Sequence, residues 1–291
     1  MTWKRVLTAA VLIPVVVWLV LRGSTAVVAL GVAIFTVVAL LEYFSLGEAM
    51  GHRAHRAWTI FCALVILFLA WLPTVVRPGD FGGYSVPAGV QWMVAQIFPR
   101  AEEGIFLFVI GIAVITMFSK RPLVETLPGA GISASGLLLV AFPLTYAVRL
   151  DGWGEYGPWL LLFALVITWA GDTGAYFAGR AFGHHLLAPH LSPKKTWEGS
   201  LAGLAASIIA GVLFQRWLHT PVVYLIGMAV LGNIAGQIGD LLESAYKRSA
   251  GVKDSGSLLP GHGGVLDRID ALILAIPVVW YYWILTYSPR N

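Results

Sequence analysis

Nine apolar stretches, each close to the length a helix needs to cross a bilayer, dominate this chain. They run over 6–21, 25–41, 57–76, 105–118, 130–148, 158–171, 200–217, 221–239 and 271–287. A spanning helix takes roughly 20 apolar residues, so the shorter stretches must borrow flanking residues or polar ends. A soluble core cannot absorb so much apolar length. The chain of 291 residues is 58% hydrophobic and 12% charged, against about 25% charged for an ordinary soluble domain. Its mean hydropathy of +0.79 agrees. Disordered, fibrous and disulfide-rich secreted classes are excluded, because they need high charge, a short period or many cysteines. The single cysteine, Cys62, lies inside an apolar stretch and supports neither a disulfide framework nor a zinc cluster. The expected fold is therefore all-α, a polytopic membrane protein with about nine transmembrane helices. The apolar segment 87–98 is too short to span and reads as interfacial or re-entrant.

Charge placement sets the topology. Lys4 and Arg5 precede the first stretch as in a signal peptide, but no small-x-small cleavage site follows, so a retained span is expected. With the N-terminus cytoplasmic, the cytoplasmic segments hold Lys4, Arg5, Arg53, Arg56, Lys120, Arg121, Arg180, Lys194, Lys195, Lys247, Arg248, Lys253 and Arg268. The opposite side holds Arg22, Arg77, Arg100, Arg149, Arg216 and Arg290. Every lysine falls inside, as the positive-inside rule requires, and an odd number of spans puts the C-terminus outside. The net charge of +4 needs no nucleic-acid partner once the lysines are placed this way. A five-span region, 1–150, precedes a four-span region, 151–291, whose two cytoplasmic loops, 172–199 and 240–270, differ from the other connectors. These loops hold seven of the fifteen carboxylates: Asp172, Glu198, Asp240, Glu243, Asp254, Asp267 and Asp270. Any chemistry is expected there.

In the first loop, Asp172 sits at a span end, where an ionised carboxylate is costly unless paired or metal-bound. Gly171, Gly174, Gly179 and Gly183 allow close approach of a ligand or another helix. Ser192-Pro193-Lys194-Lys195-Thr196 puts a hydroxyl and two ammonium groups beside a helix start, which suits phosphate; a basic loop at a membrane surface would look the same. In the second loop, Asn233, Gly236, Gln237, Asp240, Glu243, Ser244 and Lys247 recur at spacings of three and four. One helix can therefore carry a polar stripe from mid-membrane outward, facing other helices or a wet cavity. Small residues such as Gly232 and Gly236 could serve helix packing alone, which explains Asp240 with Glu243 poorly. Pro260-Gly-His-Gly-Gly264 is a turn whose N–H groups can form an anion nest. Asp267 and Asp270 share a helix face, although Asp267 taken alone reads first as an N-cap and His262 as a polar turn residue. Asp172, Asp240, Asp267 and Asp270, all at helix ends among basic residues, describe a Mg²⁺–phosphate site.

The run Ser244-x₂-Lys247-Arg248-x₄-Lys253-Asp254-x-Gly256-x₂-Leu259-Pro260-x-His262-Gly263-Gly264-Val265-x-Asp267-Arg268-Ile269-Asp270 closely resembles the signature of the phosphatidate cytidylyltransferases (CDP-diacylglycerol synthases). Gly171-Asp172-x₂-Ala175-Tyr176-x₂-Gly179-Arg180 and Ser192-Pro193-Lys194-Lys195-Thr196-x-Glu198-Gly199 are similar to that family's nucleotide-proximal motifs. The resemblance covers the C-terminal half; the N-terminal half shares only its multiple spans. One departure is His184-His185, where the family pattern leads one to expect a lysine after Gly183.

The resemblance implies an integral inner-membrane enzyme, active at the cytoplasmic face, that converts CTP and phosphatidate to CDP-diacylglycerol and pyrophosphate with Mg²⁺. It assigns Asp240 and Asp267 to the metal, with Asp270 and Asp172 as helpers. It places Arg180, Ser192, Lys194 and Lys195 at the CTP phosphates. Lys247, Arg248, Lys253 and Arg268, with Ser244 nearby, would neutralise phosphatidate and the leaving pyrophosphate, and His262 would bond a phosphate oxygen or the leaving group. It further implies a homodimer. Rival readings are a cytidylyltransferase or CTP-dependent kinase acting on a polyprenyl or ether-lipid phosphate, and an ion-coupled transporter using Asp240, Glu243 and Asn233. Against the transporter, the charges gather at one interface and no inverted repeat is present. No Walker A or HExxH sequence occurs.

Overall fold

The computed structural model describes residues 2–75, 101–258 and 263–286, with only the backbone described for 2–9, 11, 75 and 101. All nine apolar stretches fall on helices. They are α1 (Thr2–Arg22), α2 (Thr25–Ala49), α3 (Arg56–Val75), α4 (Ala101–Phe118), α5 (Thr126–Gly136), α6 (Phe142–Asp151), α7 (Gly157–Phe182), α8 (Trp197–Leu213), the short α9 (Gln215–Leu218), α10 (Val222–Ser249) and α11 (Leu266–Thr286). A π-turn at Leu137–Ala141 joins α5 to α6 without a break, so the two form one span. Among the described residues, seven helical segments are long and apolar enough to cross a membrane; α1 and α4 are two further apolar helices. The segment 87–98 lies outside the described residues.

Burial follows from this composition. Large apolar side chains such as Leu30, Phe106, Leu201, Ile209 and Leu213 stay more than three-fifths exposed, an arrangement that is stable where the solvent is lipid. Inside, one hydrophobic cluster runs from Leu40 and Phe44 of α2 through Phe163 of α7 to Trp283 of α11. It joins the five-span and four-span regions.

Contact is most extensive between α7 and α8, then between α10 and α11. The α7–α8 contact explains several of the glycines on these two helices. On α8, Gly199, Gly203, Ser207 and Gly211 recur every fourth residue, and all are buried. They form the small-xxx-small face that lets two backbones meet in a membrane. A Cβ added at Gly203 would lie 2.7 Å from the Gly171 carbonyl oxygen and 3.0 Å from Ala175 Cβ. Gly203→Ala should therefore cost about 1–3 kcal/mol by overpacking, while Gly131→Ala, which meets nothing within 4 Å, should be neutral or stabilising. Thermal unfolding of both variants in detergent checks this; equal midpoints would refute the close α7–α8 contact.

A polar ladder locks the same face. Ser207 Oγ donates to the Ile167 carbonyl at 2.6 Å, Asn233 Nδ2 to Ser207 Oγ at 2.8 Å, and Gln237 Nε2 to Asn233 Oδ1 at 2.6 Å. Ser200 completes it with a short bond to Gln237. The upper part of the polar stripe on α10 is thus satisfied by α7 and α8, as buried polar groups must be.

Between α7 and α8 the chain forms a two-stranded antiparallel hairpin, β1 (Leu186–Ala188) with β2 (Ser192–Thr196). Thr196 ends it and caps α8, its Oγ1 accepting from the Gly199 N–H at 3.2 Å. The expected helix start after Lys194-Lys195 is present, but the lysines stand on a strand.

Candidate active site

Four helix ends converge at one end of the bundle: the C-terminal parts of α2, α7 and α10, and the N-terminus of α11. The β1–β2 hairpin lies over them. Asp172 on α7, Asp240 on α10 and Asp270 on α11 form one group. Asp172 is in electrostatic reach of Asp240, Lys195 and Arg268, and Asp270 of Asp240, Glu243 and Asp172. Lys195 Nζ lies 2.5 Å from Asp240 Oδ2, with both side chains about 30% exposed. This ion pair joins the hairpin to α10 and brings the two motif loops into one site.

The second group surrounds Lys247. Its ammonium pairs with Glu243, one turn back on α10, and with Asp267 Oδ1 at 2.6 Å. These side chains are only 11%, 5% and 6% exposed, so the lysine compensates two buried carboxylates. The other Asp267 oxygen, Oδ2, accepts from Ser255 N at 2.9 Å, Ser255 Oγ at 2.9 Å and Gly264 N at 2.8 Å. Asp267 thus holds its own preceding turn and does not cap the helix N–H groups. The groups meet where Asp270 faces Glu243.

Below the first group lies a narrow pocket of about 20 Å³, lined by Thr168, Gly171, Asp172, Ala175, Asn233, Gly236, Gln237 and Ala271. It has room for about one water, and is the polar crevice that the α10 stripe demanded.

The remaining expected residues are dispersed. Arg248 donates to the Leu191 carbonyl at 3.3 Å and the Val252 carbonyl at 3.2 Å, tying the hairpin tip to the end of α10. Arg180 is exposed, 3.4 Å from the Tyr176 hydroxyl; Lys194 and Lys253 are exposed, Ser192 half-buried and Ser244 buried. His262 lies outside the described residues. At the His184-His185 departure, the His185 side chain has a local role. Glu198 accepts from the backbone N–H groups of His184 and His185, and its Oε1 lies 2.6 Å from His185 Nδ1. The His185 ring, with the backbone N–H groups of both residues, pins the hairpin to the start of α8.

Two residues were missed from the sequence. Ser255 reads as one of many loop serines. Glu42 reaches the turn before α11 from α2, in the region with no motif; the only signal was a carboxylate near the end of an apolar helix.

A bundle of apolar helices of membrane-crossing length, with carboxylates and lysines gathered at one end, defines an integral membrane protein. The chain belongs to the Cytidylyltransferase family, which matches residues 3–286, and is accordingly a nucleotidyltransferase. It is 30% identical to the phosphatidate cytidylyltransferase of Bacillus subtilis over 75% of this chain and 77% of that one. It is 39% identical to the Haemophilus influenzae protein of the same name, over 57% of this chain and 59% of that one, and 41% identical to that of Brucella suis, over 55% and 60%. In the latter two comparisons the match spans about three-fifths of the relative's length.

Proposed function

We propose that this protein transfers the CMP moiety of CTP to phosphatidate, giving CDP-diacylglycerol and pyrophosphate, at the cytoplasmic face of the inner membrane. The observation that carries this is the Lys195–Asp240 ion pair, which puts the phosphate-suited hairpin and the carboxylate end of α10 in one site. The relatives' shared name supports the acceptor. A phosphate oxygen of phosphatidate attacks the α-phosphorus of CTP, and the bond from that phosphorus to the β-phosphate bridging oxygen breaks. The nucleophile is anionic at neutral pH, so the chain need not remove a proton. Its task is to bring two anions together and hold them in line. Lys195 and Arg268 face this point from the hairpin and α11. The exposed rings of Tyr176, Phe177, Phe182 and Trp197 beside the hairpin form an interfacial belt. A lipid headgroup can thus reach the carboxylate end while its acyl chains remain in the bilayer.

The residues fit a magnesium ion. Among the described residues no three His, Cys, Asp or Glu side chains close around one point. Magnesium seldom uses such a cage; it takes one or two carboxylates with water and substrate phosphates. Asp172, Asp240 and Asp270 supply oxygen donors only, and Asp240 now has an ammonium group where a cation would sit. Asp240 with one of Asp172 and Asp270 would hold the ion beside phosphate oxygens and water, and Asp267 would reach it by releasing Lys247. When bound, Mg²⁺ would neutralise phosphate charge as it develops. The lysines orient the nucleotide. Lys195→Ala should raise the KM for CTP about tenfold or more, the worth of a charge-assisted hydrogen bond. An effect confined to phosphatidate would reverse the assignment of the loops.

The reaction class is tested by where label travels. CTP labelled at the α-phosphate should deliver it to the lipid, and label at the γ-phosphate should appear in pyrophosphate. Label from the γ-phosphate in the lipid would make the protein a CTP-dependent kinase instead.

A further inference from the structure

The turn between residues 263 and 266 has the successive N–H groups of an anion nest, and protein carboxylates already fill it. Asp267 takes the Gly264 N–H. Glu42 of α2, only 9% exposed, takes the next two: Val265 N donates to Oε1 at 3.0 Å and Leu266 N to Oε2 at 2.8 Å. These are the N–H groups at the start of α11, so Glu42 caps that helix from more than two hundred residues away. Ser255 Oγ, 3.1 Å from Glu42 Oε2 and 2.9 Å from Asp267 Oδ2, places its single proton between the two acids. Clearance for Glu42 is built into the motif. A Cβ at Gly256 would lie 2.5 Å from Glu42 Oε1, and one at Gly264 would collide with both Glu42 Oε2 and Ser255 Oγ. The adjacent Tyr43 packs edge-on against Tyr246 of α10 at 5.5 Å between ring centres, next to Lys247. Neighbouring residues of α2 therefore brace both helices that carry the site.

We infer that Glu42 is a positioning residue, which fixes the start of α11 so that Asp267, Arg268 and Asp270 meet Lys247 and Asp240 in register. The inference rests on the cytidylyltransferase reading for its effect on rate, but not for the contact itself. The carboxylate is needed because two N–H groups aim at it. In Glu42→Gln one of them meets an NH₂ group, and the turn must shift.

The experiment has two arms. In the first, Glu42→Gln and Glu42→Asp are purified in detergent and assayed at saturating Mg²⁺ and phosphatidate. Glu42→Gln should lower kcat about 10²-fold, the scale of an ångström-level misplacement, with the KM for CTP within about threefold because Lys195 lies on the hairpin. Glu42→Asp keeps both acceptors and should recover part of the rate. Unchanged kcat in Glu42→Gln, or a loss matched by loss of folded protein in both variants, overturns the inference. The second arm needs no activity. Gly256→Ala should lower the unfolding midpoint by at least about 4 °C more when Glu42 is present than in a Glu42→Ala background, because the three atoms nearest a Cβ there all belong to the Glu42 side chain. Equal shifts overturn the contact. If the variants show this coupling but the wild-type protein transfers no CMP, the proposed function is refuted and the Glu42 brace stands.

Discussion

Asp240→Asn should reduce pyrophosphate release by about 10³-fold or more while the protein remains folded. The rate loss follows from the proposed charge role. Neutralising phosphate charge is worth several kcal/mol in the transition state, and each 1.36 kcal/mol is a factor of ten. The carboxamide keeps the shape of the side chain but not its charge. Folding is spared because the Lys195–Asp240 pair is about 30% exposed on both sides, where an ion pair contributes at most about 1 kcal/mol. Turnover and thermal unfolding of the same preparation separate the two effects. Near wild-type turnover at ordinary Mg²⁺ would remove Asp240 from the metal site. Asp267→Asn tests the other candidate ligand. Its loss should also stop turnover, but with lower stability, because the buried Asp267 holds Lys247, Ser255 and Gly264 together.

Lys247→Met should act mainly on the fold. It leaves Glu243 and Asp267, which are 5% and 6% exposed, facing each other without a cation. Removing one partner of a buried pair costs about 3–5 kcal/mol. A midpoint at least several degrees lower is expected, with turnover lost in whatever folds. The triple variant Lys247→Met, Glu243→Gln, Asp267→Asn should regain much of the stability without regaining activity, since no uncompensated charge remains. If Lys247→Met alone unfolds like wild type, the cluster is not the buried triad described.

Much of this architecture was legible because its signals are local. A stretch near bilayer length declares a helix wherever it packs, so all nine stretches fell on helices. The carboxylates at the ends of α7, α10 and α11 could be expected to meet because topology brings those ends to one face. Other features were hidden by range or ambiguity. Three residues, Leu186–Ala188, are too few to read as a strand, so the sequence alone puts the lysines in a loop. Gly171, Gly174 and Gly179 allowed a ligand or a helix to approach, and the small residues of α8 decided for a helix. The sequence puts an anion nest in the turn 260–264, of which 260–262 lie outside the described residues; the Gly264 N–H goes to Asp267, and the next two N–H groups, of Val265 and Leu266, go to Glu42. Glu42 was out of reach: its partners lie at separations of 213 to 224 residues, and no local periodicity reports such a contact.

The most direct test of the central claim is pyrophosphate release by the purified protein in mixed micelles with CTP, Mg²⁺ and phosphatidate, with product lipid identified by mass. Release that requires phosphatidate and matches CDP-diacylglycerol mole for mole is the predicted result. Release with only a polyprenyl or ether-lipid phosphate would keep the site and change the acceptor. No release with any lipid phosphate, from protein shown to be folded, would contradict the account.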